Sequence, residues 1–80
     1  MAHFSQKIKD RVAAADDSLV AVRLGKICIA ELIPFHVIGD RLKVSRATIY
    51  AWCTGKSKPI PALEEKLLEL EKRLQEEINK

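Results

Sequence analysis

Apolar positions at Phe4, Ile8, Val12 and Ala15 recur every three or four residues, the interval that lines one face of an α-helix. A first helix is therefore predicted near the N-terminus, with Ser5 as a modest start signal. The cluster Asp16-Asp17-Ser18 has two readings: short side chains that cap a new helix, or the interior of one continuous helix. From Leu19 to Ile33 apolar residues are dense (Leu19, Val20, Val22, Leu24, Ile27, Cys28, Ile29, Leu32), which predicts a core helix with Arg23 and Lys26 on its outer stripe. Pro34 suits the first turn of a next helix, where its missing N–H costs nothing, so that helix is expected from about Pro34 to Leu42, burying Val37 or Ile38 and Leu42. Ser45 is a strong N-cap for a helix from Arg46 to about Thr54, closed by Gly55. The prolines of Gly55-Lys56-Ser57-Lys58-Pro59-Ile60-Pro61 mark a loop. Beyond it Leu63, Leu67, Leu70 and Leu74 return to spacings of four and three. The whole pattern predicts an all-α chain, a compact bundle of four to five helices with a longer C-terminal helix, without repeats or low-complexity tracts.

At 80 residues the chain fits one domain, divided into an N-terminal helix or arm (1–16), a core with a basic loop (17–60) and a C-terminal helix (61–80). A domain of this size buries only about 60% of its extended surface, so a second subunit would help it. The longest nearly uncharged stretch, Ile27 to Gly39, is interrupted by Glu31, Pro34 and His36, well short of the roughly 20 apolar residues that span a bilayer. With no secretory signal pattern either, a cytoplasmic protein with no membrane partner is expected, in a bacterial host's cytoplasm if phage-encoded.

Catalytic chemistry finds little to work with. Cys28 and Cys53 lack any zinc-type spacing and are expected to be reduced, structural thiols. His3 and His36 have no neighbouring nucleophile or carboxylate pair and are expected at the surface. No enzyme activity, cofactor, metal or small-molecule substrate is expected.

The net charge of +3 conceals an uneven distribution. Residues 1–16 carry +1 and residues 17–34 balance, whereas residues 35–60 set Arg41, Lys43, Arg46, Lys56 and Lys58 against Asp40 alone, +4. The last twenty residues set Lys66, Lys72, Arg73 and Lys80 against six glutamates, −2. The middle third is a basic pole suited to phosphates, and the terminal helix should point away from them.

Within that pole, two short helices joined by a tight turn form a candidate helix-turn-helix, the unit that lays its second helix in the major groove of DNA. Gly39 lies on the inner side, where the following helix crosses closely. Ile38, Leu42, Val44, Ile49 and Trp52 then make an apolar junction, with Trp52 in the core, and Arg46, Ala47, Tyr50 and Ala51 are left on the outer side.

The stretch FHVIGDRLKVSRATIYAWCTG, Phe35 to Gly55, resembles the helix-turn-helix of the Cro and phage-repressor (Xre-like) family of DNA-binding regulators, and Gly55-Lys56-Ser57-Lys58-Pro59 resembles that family's basic loop. Two positions depart from its pattern. Lys43 stands where the family usually has glycine, at a cost of about 1 kcal/mol if the turn needs positive φ. Ile33-Pro34-Phe35 lacks the usual Thr/Ser cap and Gln. The resemblance implies base contacts by Arg46, Ala47, Tyr50 and Ala51, with Arg46 presenting two donors to guanine and the alanines meeting a thymine methyl or allowing close approach. It implies backbone contacts by Lys43, Ser45, Thr48, Thr54, Lys56 and Lys58. Tyr50 is balanced between DNA contact and surface packing, and Thr48 between phosphate and its own helix.

The C-terminal helix allows either dimerisation or docking on its own domain through Leu63, Leu67, Leu70 and Leu74, with Lys66 able to pair with Glu71 across a parallel dimer. Leu68 and Ile78 widen the apolar face and favour docking. The function expected is a sequence-specific double-stranded DNA-binding repressor acting as a homodimer on a palindromic operator. Alternatives are a DNA-packaging or replication accessory protein with the same motif, or a protein-binding module such as an antitoxin or host-enzyme inhibitor.

Overall fold

A computed structural model describes residues 4–79, and the expectation for His3 lies outside them. Within this range the chain is all-helical: α1 (Gln6–Ala14), α2 (Val20–Glu31), α3 (Phe35–Leu42), α4 (Arg46–Cys53) and α5 (Pro61–Ile78). The bundle with a longer C-terminal helix is the architecture that the apolar periodicity predicts. Among the described residues no helix is long and apolar enough to cross a membrane.

Local chemistry sets most helix ends. The Ser5 hydroxyl caps α1 by accepting the Ile8 N–H at 3.2 Å. The chain then leaves helical geometry at Ala15, so one continuous helix through Asp17 is not formed. The acidic cluster does not cap α2 either. The Asp16 carboxylate accepts the Ser18 N–H at 3.0 Å and so closes its own turn, while Leu19 is the N-cap of α2 without a side-chain hydrogen bond. That hydrogen bond from the Ser18 backbone is the main cause that holds the Asp16 carboxyl below its ordinary pKa.

α2 ends differently from expectation. Leu32 takes the left-handed conformation (φ 57°, ψ 41°), and the Ile33 N–H bonds back to the Cys28 carbonyl at 2.8 Å. This closure satisfies carbonyls that would otherwise be orphaned, and a residue before proline resists helical geometry in any case. Pro34 consequently stands extended (ψ 141°) as the N-cap of α3 and not in its first turn. Ile38 is the buried member of the Val37/Ile38 alternative, and Leu42 is half-buried.

α2 is the central helix, packed against α1, α4 and α5, while α3 packs on α4. Val12, Leu24, Cys28, Phe35, Ile38, Ile49, Trp52, Cys53, Leu67 and Leu70 share one core, confirming Trp52 as an interior residue. Cys28 and Cys53 are free thiols in this core. Burial pushes their pKa values up to about 11 and about 12, with the neighbouring Cys28 adding to the rise at Cys53. Two glycines permit close crossings. A Cβ on Gly25 would lie 2.9 Å from the Cys53 Cβ, setting α4 against α2, and one on Gly39 would lie 2.9 Å from the Val44 carbonyl oxygen and 3.3 Å from Ile49 Cγ1.

α5 docks on its own domain. Leu67 and Leu70 are buried, with Leu63 and Leu74 packed at the edge of the same core. The Lys66–Glu71 pair of a parallel dimer is displaced by an internal partner: Glu71 accepts two hydrogen bonds from Arg23, Nε to Oε2 at 2.8 Å and Nη2 to Oε1 at 3.2 Å. Arg23 and Lys26 are therefore not a free outer stripe, since Lys26 also pairs with Asp17 at 3.6 Å. Leu68 and Ile78 do not join the docked face and stay 44% exposed, because the helix turns Leu68 sideways and Ile78 falls in its last turn.

Candidate nucleic-acid interface

The surface that the sequence singles out is built on α4. At its start the Ser45 hydroxyl accepts the Thr48 N–H at 3.2 Å. It also lies 2.9 Å from the Thr48 hydroxyl, so one of the two donates to the other and the second hydrogen remains for an outside acceptor. The helix is closed by Thr54, followed by Gly55 at φ 78°, the left-handed geometry expected there.

With Ile49, Trp52 and Cys53 turned into the core, helical periodicity turns residues 46, 47, 50 and 51 outward. Arg46, Ala47, Tyr50 and Ala51 line one shallow concavity together with Lys56 from the following loop. The loop is tied to the helix by Lys56 and Ser57, whose N–H groups both donate to the Ala51 carbonyl at 2.9 and 3.4 Å. The arrangement presents two cations around small apolar positions and one aromatic ring, a combination that can meet base edges and phosphates.

The turn before α4 carries Lys43 in left-handed geometry (φ 57°, ψ 42°), with its side chain exposed. Its departure from glycine thus occurs at a true positive-φ position. The Val44 N–H closes the turn onto the Gly39 carbonyl at 3.0 Å, which is possible because Gly39 has no side chain.

Two residues expected to contact the DNA backbone lie apart from this concavity. The Thr54 hydroxyl donates to the Tyr50 carbonyl at 2.9 Å, with the Ala51 carbonyl at 3.3 Å, and its only donor is spent on its own helix. Lys58 is exposed but lines a separate small cavity with Ser18, Trp52, Ser57 and Glu64, and its charge acts on Asp16. The concavity therefore gathers Lys56 and not Lys58.

Tyr50 is half-buried, its ring packed edge-on to Phe35 at 6.3 Å, and Phe35 in turn meets Phe4 at 5.1 Å. The ring thus packs on the domain and at the same time lines the concavity. The role of Phe4 as the far end of this aromatic row is not evident from spacing alone. Its helical phase with Ile8 and Val12 shows only that it faces inward.

Among the described residues no cluster of three or more His, Cys, Asp or Glu could hold a metal ion. Comparison of the chain with protein-family models, with curated proteins and with solved structures found no match.

Proposed function

We propose that this chain is a sequence-specific double-stranded DNA-binding regulator, a repressor of the phage or bacterial type that acts as a homodimer on two-fold related half-sites. The observation that carries the reading is the concavity that gathers Arg46, Ala47, Tyr50 and Ala51 of α4 with Lys56 of the following loop. Support comes also from the close α3–α4 crossing at Gly39, which fixes the face relative to its turn. In this reading α4 enters the major groove, Arg46 reads a guanine, the alanines admit the helix close to the bases, and Lys56 and Lys43 hold phosphates. The leucine ridge of α5 is spent inside the subunit, so the two copies pair through another surface.

The test is a paired substitution measured on a selected binding site and on random duplex. Arg46→Ala should cost about 1–3 kcal/mol on the selected site and little on random DNA, whereas Lys56→Ala should weaken both equally and lower the salt slope by about one unit. Equal losses on both duplexes for Arg46→Ala would remove Arg46 from sequence readout. A palindromic motif recovered from a random pool would support the dimer, and a motif without symmetry would exclude it.

A further inference from the structure

The net charge of the C-terminal segment predicts that α5 turns away from phosphate, yet two of its cations line one groove with a cation of α3. Lys66 and Arg73, two turns apart on one flank, meet Arg41 of α3 in a groove between the two helices. Leu42 and Leu70 form its floor and Glu69 is the only carboxylate on its wall. The groove thus carries a local excess of two positive charges on a helix whose segment is acidic as a whole.

Among the described residues none of these cations is held in an ion pair. Among the described residues the ion pairs are Arg23–Glu71 and Lys26–Asp17, so Arg41, Lys66 and Arg73 form none, although Glu69, Glu76 and Glu77 lie within one turn of Arg73 along the same helix. Three like charges converging from two helices repel one another, and an anion of high charge density relieves that repulsion. Duplex DNA carries one negative charge per roughly 1.7 Å of axis, and arginine matches phosphate with two parallel donors. In sequence Arg41 stands two residues before exposed Lys43 at the turn and five before Arg46.

We infer that the α3–α5 groove is a second phosphate-binding surface, in which Arg41, Lys66 and Arg73 take the backbone of nucleic acid. The inference rests on the DNA-binding reading above. The phosphates belong either to the duplex held by α4 or to a second segment.

The experiment measures duplex affinity against salt for the intact protein, for K66Q/R73Q, for E69Q and for K56A. Each lost phosphate contact lowers the slope of log K against log salt by about 0.9, so K66Q/R73Q should lose about 1.8. E69Q should tighten binding at low salt, an opposite shift that general damage to α5 would not produce. A second arm counts labelled duplex captured by protein already bound to an immobilised duplex. Capture that disappears in K66Q/R73Q assigns the groove to a second segment, and a slope loss without capture assigns it to the same duplex. If K56A lowers the slope while K66Q/R73Q leaves both slope and capture unchanged, the groove is not a phosphate site and the α4 reading stands. If the intact protein binds no duplex at about 50 mM salt, where phosphate attraction is strong, the α4 reading and this inference fall together.

Discussion

Arg23 holds Glu71 through two hydrogen bonds of 2.8 and 3.2 Å, joining α2 to α5 across 48 residues of chain. The remaining guanidinium nitrogen donates to the carbonyls of Asp17 and Ser18 at 3.1 and 2.9 Å, so one side chain fastens the terminal helix and the α1–α2 loop at once. The Glu71 side chain is 11% exposed, and losing its partner would strand a nearly buried charge. Arg23→Ala should therefore destabilise the fold by about 1.5–3 kcal/mol, read as a lower urea midpoint. Removing both partners, as Arg23→Met with Glu71→Leu, should recover part of that loss.

Gly39→Ala places a Cβ 2.9 Å from a backbone carbonyl, which cannot rotate away as a side chain can. A destabilisation of about 1–3 kcal/mol is expected from the overpacking. Thermal melting followed by circular dichroism gives the loss, and a wild-type melting curve would show that the turn can open without cost.

Lys43→Gly should act in two directions. It relieves a left-handed residue at φ 57° and should stabilise the fold by about 1 kcal/mol. It also removes a cation beside α4, so duplex binding should lose about 0.9 in salt slope if Lys43 holds a phosphate. Leu32→Gly, at φ 57° on the far side of α3, should give the stabilisation without the change in slope.

The buried thiols make a prediction in pH. Folding raises both pKa values, to about 11 for Cys28 and about 12 for Cys53, so the folded state holds these protons more tightly than the unfolded chain does. Their contribution to stability is complete below the ordinary thiol value near 9 and is lost as pH rises from there through 11 and 12. Urea midpoints should fall across that range, and Cys28→Ala with Cys53→Ala should flatten this part of the dependence. At neutral pH neither thiol should react with iodoacetamide until the protein unfolds.

What the sequence makes legible is what short-range chemistry decides. Ser5 and Ser45 cap their helices, Gly55 takes positive φ, and Gly39 and the apolar junction around Ile49 and Trp52 follow from the motif alone. The misplaced features depend on partners distant in the chain or on angular sorting around a helix. Glu71 could be assigned to Lys66 because a heptad places them at suitable positions, yet Arg23 reaches it first from α2. Leu68 counts as apolar in any window, but its angle on α5 takes it off the docked face. Summing charge over the last twenty residues hides that Lys66 and Arg73 share a groove with Arg41, a partner distant in the chain. The apolar run to Ile33 overextends α2 by two residues, because leucine rarely adopts the left-handed conformation that Leu32 takes to end the helix at Glu31.

The contact between Gly25 and Cys53 acts as a mechanical stop. With less than the room for one methyl group between α2 and α4, the outer face of α4 cannot sink inward when something presses on it. The four side chains it presents keep their spacing under load, and mutual fit must come from the whole subunit tilting or from the other body deforming. On the proposed reading this face acts as a rigid template, and selectivity there would include how readily the duplex bends to it.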